Sequence, residues 1–128
     1  MSKSTSPGTP RPERLGFPRA ARVRLSREFV FVRRKGRSVH GRLLRVTAAR
    51  VDGETRFGLV TSRRVGGAVV RNRVRRRLRE ICRLHRPQVL PGWLVVVSAK
   101  SSAAAAAYEE LREEWLLLIR QLSILPRS

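Results

Sequence analysis

Apolar positions along the chain change period several times, and each change marks an element. Leu25-Ser26-Arg27-Glu28-Phe29-Val30 has the pattern of a helix start. Ser26 can cap the first amides, Glu28 suits the first turn, and Leu25 with Val30 has staple spacing. Gly36 predicts the stop. Residues 43–50 and 56–62 then alternate as strands. In the first, Leu44, Val46 and Ala48 share one face; Leu43, Arg45 and Thr47 share the other. In the second, Phe57, Leu59 and Thr61 oppose Gly58, Val60 and Ser62. Asp52-Gly53 lies between them and is a hairpin signal, so the two strands are expected to pair.

After a glycine-containing loop at 63–68, the period returns to that of a helix, over about 69–84. At 100° per residue, Val70, Val74, Leu78, Ile81 and Cys82 gather on one stripe. Asn72, Arg75, Arg76, Arg79 and Arg83 lie on the opposite arc. Pro87 and Pro91 end the helix. Residues 93–98, Trp-Leu-Val-Val-Val-Ser, form a continuous apolar run that predicts a buried strand. A last helix is expected from about 102 to 122, with Leu111, Trp115, Leu118, Ile119 and Leu122 as its core face. Glu109, Glu110, Glu113 and Glu114 are read as its solvated face.

The order helix, hairpin, helix, strand, helix predicts an α+β fold. It would be a single-domain α-β sandwich, one mainly antiparallel sheet with helices packed on it. The domain is expected over 23–124, behind a basic Pro-, Arg- and Ser-rich flexible tail at 1–22.

Charge then narrows the partner. Lys and Arg total 29 against 9 Asp and Glu, a formal +20, while 41% of residues are hydrophobic. A foldable chain with so one-sided a balance points to a polyanion, because neutralised phosphates release counterions. The lysines are Lys3, Lys35 and Lys100; the other cations are arginines, whose planar fork matches phosphate. Between residues 63 and 86 stand ten arginines and one acid, Glu80. Like charges at i, i+4 (Arg71, Arg75, Arg79, Arg83) destabilise a helix unless an anion offsets them. Gly66-Gly67 could let backbone amides approach a phosphate or could be a plain loop pair.

Groups for catalysis are scarce. The histidines are His40 and His85, Asp52 is the only aspartate, and Cys82 the only cysteine. Cys82 and His85 fall on the apolar stripe, where packing is the expected role, as it is for Trp93 and Trp115. No His, Asp or Glu spacing suits a metal, and no carboxylate pair suits acid–base work. No run approaches the roughly 18 apolar residues of a membrane span, and the N-terminus lacks a secretory apolar stretch. A nucleic-acid-binding protein without a bound cofactor is expected, compatible with a cytoplasmic location, and a non-catalytic ribosomal-type or DNA-binding basic module is one reading of it.

One long run narrows this further. Gly58, Ser62-Arg63-Arg64, Gly66, Ala68-Val69, Arg71-Asn72-Arg73 and Arg79-Glu80 resemble, at their spacing, the signature of the bacterial ribonuclease P protein component. Leu25 with Phe29, and Gly36-Arg37-Ser38, resemble that family too, and the likeness spans about 24–122. The resemblance implies a left-handed β-α-β crossover, where ordinary crossovers are right-handed. It implies a monomer in a 1:1 ribonucleoprotein with a catalytic RNA, acting on precursor tRNA. That RNA would use Mg²⁺ to hydrolyse the phosphodiester and leave the mature 5′ end. The protein alone would be inactive, with no catalytic residue and no metal of its own. Carried over by position, Arg71, Asn72, Arg73, Arg75, Arg76 and Arg79 would face the RNA subunit. Phe29, Arg33, Arg45 and Thr47 would line a cleft for the single-stranded 5′ leader, flanked by Ser62, Arg63 and Arg64. Many members carry an aromatic where Arg33 stands and another near Thr47, so the implied cleft is richer in arginine here.

Overall fold

A computed structural model of the chain describes residues 26–124. The tail at 1–22 and the Leu25 staple lie outside the described residues. Helix α1 spans Ser26–Lys35 and ends at Gly36, whose amide donates to the Val32 carbonyl at 2.8 Å. Strands β1 (Arg37–His40), β2 (Leu44–Arg50) and β3 (Arg56–Thr61) follow. Helix α2 spans Ala68–His85, β4 spans Trp93–Ala99, and α3 spans Tyr108–Gln121.

The sheet has four strands in the order β1-β2-β4-β3. β1 and β2 are antiparallel, β2 and β4 are antiparallel, and β3 runs parallel to β4. This corrects the expected hairpin. Asp52-Gly53 does turn the chain, with Gly53 at φ +93°, but β2 and β3 never pair. The apolar run of β4 lies between them, because a strand buried at Leu94, Val95, Val96 and Val97 needs cover on both faces and neighbours on both edges. β1 carries no clear alternation and so has no strand signal in the sequence; it completes the edge beside β2.

The two sheet faces bury different things. Leu44, Val46 and Ala48 of β2, Phe57 of β3, and Val95 and Val97 of β4 face α2 and α3 in the main core. Val74, Leu78, Ile81 and Cys82 of α2 and Leu111, Trp115, Leu118 and Ile119 of α3 fill it, as their spacing predicts. Trp115 packs at its centre, with the Phe57 ring 6.1 Å and the His85 ring 5.6 Å away. On the opposite face, Val32 of α1 covers Ala49, Leu94 and Val96 in a smaller cluster. Arg56 of β3 pairs with Glu28 of α1, so the first-turn acid ties the helix to the sheet.

Two expectations about the C-terminal third need correction. The alanine run is not the start of the last helix. Ser101–Ala105 forms a 3₁₀ turn, and Ala103 and Ala106 are buried. Arg77 of α2 donates to the Ala106 carbonyl at 2.9 Å, and Arg73 donates to Ala104 at 3.1 Å. These carbonyls are therefore taken by side chains instead of a helical ladder. Nor is Glu114 merely solvated. Its carboxylate accepts the amides of Arg42, Leu43 and Leu44 at 3.0, 2.7 and 2.6 Å. Gly41 makes room for it, since a Cβ there would lie 2.4 Å from the Glu114 carboxyl carbon.

Candidate nucleic-acid interface

Two surfaces collect the arginines. The first is a groove between α1 and the sheet, lined by Phe29, Val32 and Arg33 of α1, Arg45 and Thr47 of β2, Val60 of β3, and Val96 and Ser98 of β4. Register makes its floor: Arg45 pairs with Ser98, Thr47 with Val96, and Val60 with Ser98 across neighbouring strands. The groove is shallow, with a volume of about 170 Å³, below the ~300–1,000 Å³ of clefts that engulf a small ligand. Its base mixes Val60 and Val96 with the hydroxyls of Thr47 and Ser98, its flanks carry the exposed Arg33 and Arg45, and Phe29 is half-buried with one side packed on the Val32 cluster. Thr47 shares its hydroxyl with Ser38 at 2.8 Å.

All four positions expected to line a cleft, Phe29, Arg33, Arg45 and Thr47, come together in it. Ser62, Arg63 and Arg64 are exposed just beyond the end of β3 and are not among its lining residues. Sequence reasoning missed Val32, Val60, Val96 and Ser98. Val60 does alternate away from Phe57, but its nearness to Arg45 depends on the strand order, which no local signal gives.

The second surface is a hollow on α2 lined by Asn72, Arg75, Arg76 and Arg79. The helix holds its charge there because Val74, Leu78 and Ile81 anchor the opposite face. Arg75 donates to Asn72 Oδ1 at 3.0 Å and to Thr61 Oγ1 at 2.7 Å. Glu80, the one acid on α2, is drawn to Arg83 at 2.6 Å, whose hydrogen bond holds its carboxyl below the usual range. It therefore leaves Arg75, Arg76 and Arg79 unneutralised. Arg71 and Arg73 flank the hollow without lining it, and Arg73 is partly engaged on Ala104. Two arginines of the same motif thus carry different loads. Arg73→Ala should lower both the melting temperature and polyanion affinity, whereas Arg76→Ala should lower affinity alone and reduce the salt slope by about one. Thermal melts run beside salt-dependent binding check the split.

Gly66, ahead of α2, is conformational: its φ is +151°, and a Cβ would press on Val70 at 3.0 Å. Gly67 has open space around it and no such requirement.

Neither surface is lined by a histidine, cysteine or carboxylate. Cys82 is fully buried, and burial pushes its thiol up to about 12, the opposite of an activated nucleophile. His85 is packed against Trp115. Among the described residues no three His, Cys, Asp or Glu side chains gather into a metal site. No described helix is long and apolar enough to cross a membrane. The arrangement can bind and orient a polyanion.

Comparison with known proteins gives one answer. The family model described as Ribonuclease P matches residues 17–123. A ribonuclease P protein component from a Roseiflexus species is 47% identical over 88 residues, 68% of this chain and 72% of its own length. The ribonuclease P protein of Staphylococcus aureus covers 84% of this chain and 100% of its own, with a TM-score of 0.78 at 22% identity, a likeness of fold. That of Thermotoga maritima covers 77% and 96%, with a TM-score of 0.70 at 28% identity.

Proposed function

The chain belongs to the ribonuclease P protein component family, and from that premise we propose that its two arginine-bearing surfaces serve two different RNAs. The protein is a subunit of the endoribonuclease that matures the 5′ end of tRNA, and its partner is the ribonuclease P RNA. The α2 face, Arg71, Asn72, Arg73, Arg75, Arg76 and Arg79, docks on that RNA. The groove holds the single-stranded 5′ leader of precursor tRNA, with Phe29 against a base, Arg33 and Arg45 on phosphates, and Thr47 on the floor. Ser62, Arg63 and Arg64 continue the path beyond β3. Hydrolysis and its Mg²⁺ belong to the RNA. The assembly is one protein per RNA in the cytoplasm, with the protein at 23–124 as its folded unit and 1–22 as a basic tail.

The observation that carries this reading is the groove itself. One aromatic, a floor of valines and hydroxyls, and two arginines that pair with no carboxylate among the described residues suit a strand whose bases are unpaired, since stacking is sequence-tolerant and arginine tracks the backbone. A duplex would present neither its base faces nor so narrow a ridge.

Reconstituted cleavage of precursor tRNA tests it. The chain alone should cleave nothing. With its cognate RNA it should lower the Mg²⁺ requirement, and more so for a long-leader precursor than for one trimmed to a single leader nucleotide. Phe29→Ala should shrink the leader-dependent part by about tenfold, in line with the ~1–3 kcal/mol of a stacked base. Phe29→Leu, which keeps the packing on Val32, separates lost stacking from lost stability. Equal stimulation with and without a leader would sink the groove assignment. A preference for duplex DNA, with no stimulation, would favour the basic-module alternative.

A further inference from the structure

β3 ends where the two surfaces meet. Val60 lines the groove, while Thr61, the next residue, turns to the other face of the strand and is only 8% exposed. Its hydroxyl accepts Nη2 of Arg75 at 2.7 Å. Nη1 of the same guanidinium donates to Asn72 Oδ1 at 3.0 Å. The two acceptors sit on different elements, β3 and α2, so the group is fixed from two directions. Arginine has five N–H donors in a rigid fork. Two are used here, three remain, and no carboxylate pairs with Arg75 among the described residues. Arg76 and Arg79 line the same hollow and make no side-chain hydrogen bond or ion pair among the described residues. Arg75 is thus the one lining arginine whose ordering precedes any anion, and ordering done in advance is not lost on binding.

We infer that Thr61 is a positioning residue for binding of the RNA subunit: its hydroxyl presets the Arg75 guanidinium toward the hollow it shares with Asn72, Arg76 and Arg79. A phosphate of the RNA then meets a fork already oriented. The inference rests on reading that hollow as the RNA-subunit surface. It gives a strand residue, buried and uncharged, a part in RNA affinity that neither charge nor motif marks.

The test uses the full chain and its cognate RNA subunit, titrated over a range of salt. Thr61→Val keeps the β-branched shape and removes the hydroxyl; Thr61→Ser keeps the hydroxyl. Thr61→Val should weaken binding roughly three- to tenfold, the scale of ordering one rotamer-rich side chain on binding, with the melting temperature little changed. Its salt slope should stay near that of the wild type, because the charge remains. Thr61→Ser should bind within about twofold of wild type. Arg75→Ala should weaken binding at least as much and lower the slope by about 0.9. Adding Thr61→Val to Arg75→Ala should cost nothing further, since the hydroxyl acts through that one guanidinium. If Thr61→Val binds like wild type while Arg75→Ala is weakened, the positioning role fails alone. If Arg75→Ala also binds like wild type, the reading of the hollow fails with it. A Thr61→Val loss that persists on the Arg75→Ala background assigns Thr61 to the fold and overturns the role.

Discussion

Replacing Arg75, Arg76 and Arg79 together with alanine is expected to weaken binding of the ribonuclease P RNA about 100-fold near 0.15 M salt. Each neutralised phosphate of a duplex contributes about 0.9 to the slope of log K against log salt. Without these three arginines the slope should fall by roughly 2–3, and affinity should drop by about fivefold for each at this ionic strength. The side chains line an open hollow and fill no core, so the fold should survive. Removing like charges one turn apart, Arg75 and Arg79, relieves repulsion worth a few tenths of a kcal/mol per pair. The lost Arg75 bonds to Thr61 and Asn72 act the other way, so the melting temperature should change little while affinity collapses. Filter binding across a salt series, beside thermal melts, checks both. A loss under threefold, or one independent of salt, would place the RNA contact elsewhere.

Glu114→Ala is expected to have the largest effect on stability of any single change at a charged position. One carboxylate satisfies the amides of Arg42, Leu43 and Leu44 as the chain enters β2. Leu43 and Leu44 are fully buried residues, and alanine leaves their amides without an acceptor. Orphaned buried donors cost ~1–3 kcal/mol each, with charge-assisted bonds at the upper end. A total near 3 kcal/mol corresponds to a fall in melting temperature of roughly 10–20 °C for a domain near 100 residues. Gly41→Ala should reproduce most of the loss, because its Cβ would occupy the carboxyl's place. Combining the two changes should cost much less than their sum. RNA affinity per folded molecule should stay close to wild type, which separates this carboxylate from the binding surfaces.

The sequence is most legible where a signal is local. The α2 stripe of Val74, Leu78, Ile81 and Cys82, and the arginine arc opposite it, follow from helical period alone. The stop at Gly36 and the core face of α3 do too. Strand order is not legible: Asp52-Gly53 makes a real turn, yet whether its flanking strands pair depends on where residues 93–99 insert. The alanine run misleads because helix propensity is a weak prior. It takes Arg73 and Arg77, from a helix some thirty residues away, to hold those carbonyls in a 3₁₀ turn. Glu114 looks like one more surface acid, since its partners lie about seventy residues earlier. For the site, the arginine face and the groove positions Phe29, Arg33, Arg45 and Thr47 are readable through motif likeness. Val60 is not, because it nears Arg45 only when β3 is set beside β4, and the Thr61 contact with Arg75 needs α2 folded back on β3.

The placement of β4 between β2 and β3 also sets an order of events during synthesis. On the ribosome, β1 and β2 can meet early as a lone two-stranded ribbon, which is marginal in water. β3 and the arginine helix emerge next, with no neighbouring strand to receive them. Only when Trp93–Ala99 leaves the exit tunnel can the last strand slot into the middle and join the two halves. The sheet is then a keystone arch, closed by its latest-made piece. In a nascent chain stopped short of residue 99 the two halves of the sheet have no strand to join them, and closing it waits on contacts of long sequence separation.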